Sequence, residues 1–208
     1  MEPPAEHVHW MFATGFLLLA LCLVARAIVG EEIWSRRPWR AYLWPSLLFA
    51  MGVLMWPVMV FYTNSTIHMI AHGAWAQTMM LAGAAELGLV RGKLHHRVWR
   101  LAMPLALVVS GSAILIHEQN GWLFSRAAFL HHAIGWTALI GAIFPLVGAF
   151  RRRSHVWSSG FALTLVVIAV FLYSDRDVAP VFGHLSPLAG PPHRCDGSPS
   201  GSGCLRSS

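Results

Sequence analysis

Residues 67–90 read IHMIAHGAWAQTMMLAGAAELGLV, and this stretch decides what kind of chain it belongs to. It is long and apolar enough to cross a bilayer as a helix, which takes about 20 residues. At about 100° per residue, one face within about 60° carries five notable side chains: His68, His72, Trp75, Met79 and Glu86. Ionisable groups at membrane depth are costly, so they usually face a protein interior and mark a function.

The composition of the whole chain agrees with this interpretation. The chain has 208 residues, of which 56% are hydrophobic and only 12% are charged, and its mean hydropathy is +0.55. A soluble domain has about 25% charged residues. The chain is therefore a polytopic membrane protein in contact with a lipid bilayer, with no room for a separate soluble domain. We do not interpret the formal charge of +6 as nucleic-acid affinity, because the basic residues cluster in short loops.

We predict an all-α fold, a bundle of six transmembrane helices in one domain over residues 1–178. The tail over residues 179–208 is rich in Pro, Gly and Ser, and we expect it to be external and largely disordered. Cys195 and Cys204 lie in this tail, either as a disulfide or as two free thiols. The six predicted spans cover residues 8–29, 41–62, 67–90, 101–119, 128–149 and 156–174.

The loops predict the orientation through their basic residues. One side of the predicted membrane carries four: Arg126, Arg176, Arg194 and Arg206. The other side carries eleven: Arg26, Arg36, Arg37, Arg40, Arg91, Lys93, Arg97, Arg100, Arg151, Arg152 and Arg153. The more basic side is the cytoplasmic one. We therefore expect a multi-pass protein of the cell membrane with both termini on the non-cytoplasmic side.

Most of the twelve histidines fall on that outer side. At 1.5 Å per residue, His72 lies about 8 Å below its helix start and His131 about 5 Å below its own. Short loops favour adjacency of the third, fourth and fifth predicted helices. Several helices can thus present imidazoles to one outer layer, a pattern that predicts either a metal site or a polar hydrogen-bonding network.

A metal centre near water takes three or four ligands, and imidazole suits copper, zinc and iron. The shallow depth favours copper or another transition metal over haem. Adjacent His131 and His132 point about 100° apart, so at most one of them faces the same centre as His72. The candidate metal ligands are His9, His68, His72, His117, Glu118, His131 and His132.

A b-type haem is the alternative cofactor. It takes two axial histidines on facing helices, with small residues that admit the ring. His72 is followed by Gly73, and His131 has Gly135 one turn later, so this pair would be the cofactor-binding residues.

Two further positions complete the prediction. Glu86 lies near the inner end of its helix, either as an interfacial residue or as one end of a proton or ion path. It lies about 21 Å from His72 along the helix, too far to share a centre. Trp75 and Trp136 lie deep enough to wall an internal site, and Arg26 is a candidate charge partner for Glu86.

Three segments carry a resemblance to a known family: His9 with the apolar stretch around Gly15, AHGAWAQTMMLAG over residues 71–83, and LIHEQNGWLFSRAAFLHHAIGW over residues 115–136. Together they resemble the transmembrane protein forty-five family of polytopic proteins with histidine-bearing helices. The resemblance covers residues 7–145 and departs in helix number, since that family has seven. It implies roles for the histidines at positions 9, 72, 117 and 131. The architecture alone is similar to copper-resistance D and cytochrome b561-like bundles.

Several functions remain open at this point. The first is metal handling or electron transfer at a histidine-ligated centre, most consistent with copper. The second is a b-type haem redox subunit that exchanges electrons with a quinone. The third is a non-catalytic accessory or scaffold subunit that contacts other membrane subunits through its many small residues. The sequence lacks GxSxG, HExxH and phosphate-binding motifs, so it gives no sign of hydrolytic activity, and whether the chain is an enzyme is open.

Overall fold

The structure, a computed structural model, describes residues 3–62, 66–117, 126–151 and 155–176. Every helix or strand element within these ranges is a helix, which confirms the all-α prediction. The cysteines of the tail lie outside the described residues. The helices are α1 Ala5–Val29, α2 Glu31–Ser35, α3 Arg40–Tyr62, α4 Thr66–Val90, a 3-10 helix Arg97–Leu101, α5 Ala102–His117, α6 Arg126–Gly141, α7 Ile143–Phe150 and α8 His155–Tyr173.

Five helical segments of the described chain are long and apolar enough to cross a membrane. They are Ala5–Val29, Arg40–Phe61, Arg97–Ile116, Ala128–Phe150 and Val156–Tyr173. Helix α4 has 25 residues, as many as α1, but it is not among the five. Its histidines, Gln77 and Glu86 lower its mean hydropathy, so the polar stripe that makes α4 informative also weakens its transmembrane signal.

The six long helical segments form a closed ring. Each packs against its neighbour in chain order, α1 on α3, α3 on α4, α4 on α5, α5 on α6 and α6 on α8. Helix α8 then packs extensively against α1, which closes the ring between the first and last of them. Side chains that meet from helices on opposite sides must therefore meet in the interior.

The two ends of this ring differ in chemistry. One end holds the N-termini of α1, α4 and α6 and the C-terminus of α8, and we call it the histidine end because His9, His72 and His131 lie there. The other end holds the C-termini of α1, α4 and α7, and we call it the basic end. Its described basic residues are Arg26, Arg36, Arg37, Arg40, Arg91, Lys93, Arg97, Arg100 and Arg151.

The fifth predicted helix is interrupted. It consists of α6 and α7, which meet at Ala142. Pro145 explains the interruption, since proline has no N–H to donate to Gly141 and its ring clashes with that carbonyl. Ala142 keeps helical dihedrals, and Leu146 N–H donates to its carbonyl at 3.1 Å. The segment therefore continues in nearly the same direction towards the basic end.

Glycines set the close approach of neighbouring helices. A Cβ built on Gly52 of α3 would lie 2.7 Å from the carbonyl oxygen of Ala76 in α4. A Cβ on Gly111 of α5 would lie 2.8 Å from the carbonyl oxygen of Gly135 in α6. Such backbone contacts between small residues are the usual basis of helix association in lipid.

Gly52→Ala will lower the thermal unfolding midpoint of the detergent-solubilised protein, because the α3 and α4 backbones must separate. We expect a cost of about 1–3 kcal/mol. Gly73→Ala is the matched control, since a Cβ there meets nothing within 4 Å. Alanine stabilises a helix by about 0.5–1 kcal/mol relative to glycine, so this control will unfold at the same or a higher temperature. Equal midpoints for the two variants would contradict the proposed packing.

Candidate functional site

An internal cavity lies along the axis of the ring. Its volume is about 110 Å³, and all six long helical segments contribute to its wall. Most of the lining is apolar, with phenylalanine, leucine, isoleucine and methionine side chains along its length. The titratable groups among the lining residues are at the histidine end: His9, His72, His131 and Asp175.

Helix α4 supplies one wall through the stripe that the sequence predicts. His72, Trp75 and Met79 follow one another on successive turns and all line the cavity. The Trp75 ring packs edge-on against Phe12 of α1, with 4.9 Å between centroids and an interplanar angle of 80°. Helices α1 and α4 are not neighbours in the ring. The polar stripe of α4 therefore faces the interior at His72, and its aromatic residue fills part of the interior just below.

Helices α1 and α8 bring an imidazole and a carboxylate together. Nδ1 of His9 donates to Oδ2 of Asp175. Asp175 is buried just beyond the end of α8, where its backbone N–H donates to the carbonyl of Leu172 at 3.2 Å. Trp10 Nε1 donates to the Asp175 carbonyl at 3.2 Å. The carboxylate is thus held in place, and in the neutral imidazole of His9 the second nitrogen, Nε2, carries a lone pair.

His131 of α6 approaches this pair from another helix that packs on α8. Its ring centroid lies 5.9 Å from that of His9, at an interplanar angle of 72°. Helices α1 and α6 are not neighbours, so the two imidazoles approach each other inside the bundle. His132, the next residue, is turned away, and its Nδ1 lies 2.8 Å from the Ala128 carbonyl of its own helix. This agrees with the angle of about 100° between adjacent helical side chains.

The structure therefore brings three candidate ligands to one cavity: His9, His72 and His131. His68 and His117 lie in helical turns at the same end, but their side chains and the whole of Glu118 lie outside the described part of the chain. Among the residues described, no group of three or more His, Cys, Asp or Glu side chains is arranged as a ready ligand set for a metal ion.

Three other residues that the sequence suggests for the site or its ion path do not line the cavity. Trp136 is 56% exposed and does not line the cavity, so Trp75 alone of these two predicted tryptophans lines it. Glu86 is half-buried and does not line the cavity either. Arg26 makes a two-pronged ion pair with Glu31, with N–O distances of 2.8 and 2.7 Å. The sequence suggests Arg26 as a charge partner for Glu86, but the Arg26 guanidinium pairs with Glu31 at the basic end.

Sequence reasoning missed Asp175. Asp175 lies two residues after the end of α8. Its distance from that helix end places it in the same layer as His9. Its pairing with His9 depends on the contact between α1 and α8, which are separated by most of the chain. A carboxylate at the predicted outer end of a span was the available signal.

No family model, curated protein or solved structure matches this chain significantly. The chemistry of the site is therefore inferred from its own residues and their geometry.

Proposed function

We propose that the chain crosses the membrane six times. Helix α4 is the additional span beside the five candidate spans described above. Helix α4 lies between α3 and α5 in the ring, and both of these are long and apolar enough to cross a bilayer. Its 25 residues extend about 37 Å, which exceeds the hydrocarbon thickness of about 30 Å. Its titratable His72 faces the cavity, where a polar group is sheltered from lipid.

The basic end faces the cytoplasm in this proposal, and the histidine end faces outward with both termini. The support is the unequal distribution of arginine and lysine between the two ends of the ring. In a variant whose native cysteines are replaced by serine, a cysteine in place of His96 will react with an impermeant maleimide only after the cells are opened. Labelling of that cysteine in intact cells would reverse the orientation.

We further propose that the histidine end binds one transition-metal ion, with copper favoured, for metal handling or electron transfer. One observation carries this proposal, the approach of the His9 and His131 rings. A metal–nitrogen bond of about 2.0 Å places each imidazole centroid about 3 Å from the ion, so two rings that share one ion have centroids about 5–6 Å apart. The observed separation is 5.9 Å.

The Asp175 carboxylate supports the same assignment. Metal-binding histidines usually donate their second ring N–H to a carboxylate, which fixes the tautomer and strengthens the donor nitrogen. Nδ1 of His9 makes this contact, so its Nε2 would be the coordinating atom. His72 would complete the set by a side-chain rotation, since no three-residue set is assembled in the described chain. Cuprous copper tolerates such low coordination better than zinc, which prefers four ligands.

The packing gives less support to a b-type haem between His72 and His131. A Cβ on Gly135 would lie 2.7 Å from Cγ of Leu115 in α5, so this glycine serves helix packing and leaves no slot for a macrocycle. An accessory role remains compatible with the outward-facing apolar side chains, which suit lipid or another membrane subunit equally. The resemblance to the transmembrane protein forty-five family stays a prediction.

Elemental analysis and an optical spectrum test the metal proposal directly. Protein purified without chelators and supplied with copper under reducing conditions will hold about one equivalent of copper per chain after desalting. It will show no Soret band. A folded protein that retains no metal would overturn the proposal, and a Soret band with one haem per chain would replace copper with haem.

A further inference from the structure

The cavity below the histidine end is larger than a metal site requires. One water molecule needs about 10–15 Å³ by the same kind of measure, so about 110 Å³ has room for several. Buried water is stable only where two to four polar groups bind it. Along the described wall, the hydroxyl of Ser110 lies 3.0 Å from that of Thr78, and most of the remaining lining is apolar. An apolar occupant therefore suits this space better than water does.

The histidine end adds polar groups to this wall, since His9, His72 and His131 line the cavity there and an imidazole can donate a hydrogen bond to, or accept one from, a carbonyl or hydroxyl group. An ionised carboxylate at this position would face the Asp175 carboxylate, and the apolar remainder of the wall would not solvate an organic ion, so a neutral organic head group fits best. The aromatic wall formed by Phe12, Phe16 and Trp75 favours a flat ring, which packs edge-to-face or offset against such side chains.

We infer that this cavity binds a neutral, flat ring compound of the quinone or phenol class, with its carbonyl or hydroxyl group among His9, His72 and His131 and its apolar part against Trp75 and Met79. The juxtaposition of an apolar pocket with a few convergent polar groups is the usual form of a small-molecule site. The head group would share the histidine end with the metal centre, but the apolar part packs against walls that carry no ligand nitrogen, so the inference can be tested on metal-free protein.

Ubiquinone-1 is a suitable probe, since its fully substituted ring does not add thiols. The full-length protein is stripped of metal with EDTA in detergent, and quenching of tryptophan fluorescence is followed as the quinone is added. We expect saturable quenching in the wild type. Ala82→Leu, which fills the cavity from α4, will weaken binding by about tenfold or more. Ala84→Leu is the matched control, since Ala84 is exposed on the same helix, and it will bind like the wild type.

Two further variants keep the test decisive if Ala82→Leu fails to fold. Ala138→Val makes a smaller intrusion into the cavity from α6, and His131→Phe removes a hydrogen-bonding group while keeping a ring. Both will weaken binding relative to Ala84→Leu. Quenching that does not saturate, or that is equal in the cavity and control variants, would show partition into detergent alone and overturn the inference. Because the protein is free of metal, this failure is distinct from failure of the metal proposal.

Discussion

Replacing His9 and His131 together by alanine will abolish copper binding, from about one equivalent per chain to less than about one tenth. The two rings approach each other from helices that are not neighbours in the ring, so their removal eliminates the nitrogen pair around which an ion would sit. A single His72→Ala change will have a smaller effect, because the proposal gives His72 a supporting position. Copper content after desalting, measured by elemental analysis, is the readout.

The chain provides a closely matched control for this experiment. His7 lies two residues before His9 on α1 and is exposed, and His132 follows His131 on α6 and bonds to its own helix. The double variant His7→Ala with His132→Ala removes two imidazoles from the same two helices. It will keep its copper. If both double variants lose the metal equally, histidine number rather than geometry determines binding, and the proposed centre is wrong.

Asp175→Ala will lower the affinity for copper by about 10–100-fold without removing a ligand. Loss of a carboxylate that orients a metal-binding histidine has this effect in other metal sites. Without the carboxylate, Nδ1 of His9 loses its acceptor, and neither the tautomer nor the ring orientation is fixed. Asp175→Asn will lie between the wild type and the alanine variant, because the amide oxygen can still accept the hydrogen bond. Competition with a chromophoric copper chelator measures the three affinities.

Glu6→Ala separates this orienting effect from simple charge. Glu6 lies at the same end of the bundle, 3.8 Å from the ring of His7, and its removal changes the net charge by the same amount. We expect the affinity of this variant for copper to stay within about twofold of the wild type, since Glu6 lies beside His7 and not beside a proposed ligand. A tenfold loss would mean that the negative charge of this end attracts the ion and that Asp175 has no special role.

Helical periodicity and depth were enough to predict part of the site. His72, Trp75 and Met79 belong to one stripe because an α-helix repeats every 3.6 residues, and His131 belongs to the same layer because both residues lie early in their helices. The sequence also predicts the helices themselves, because lipid requires long apolar segments with internal hydrogen bonds. These features depend on local spacing alone.

The remaining features depend on contacts between distant segments. The pairing of His9 with Asp175 needs the closure of α8 on α1, and no local pattern reports such a contact. The outward position of Trp136 depends on the rotation of α6, which its packing on α5 through Gly135 and Gly111 determines. The lower mean hydropathy of α4 agrees with its position on the cavity wall, since a helix that lines a cavity need not be apolar all round.

The closure of α8 on α1 also has a consequence for biogenesis. The ribosome makes α1 before α8, so in the proposed six-span topology the first helix waits in the bilayer while the intervening helices are inserted. During that interval its cavity-facing side, including His9, is open to lipid or to an insertion chaperone. The last helix then completes both the wall and the partner of His9 in a single docking step. A nascent chain arrested before α8 leaves the translocon would therefore be helical and inserted, yet unable to retain the proposed ion or the proposed ring compound.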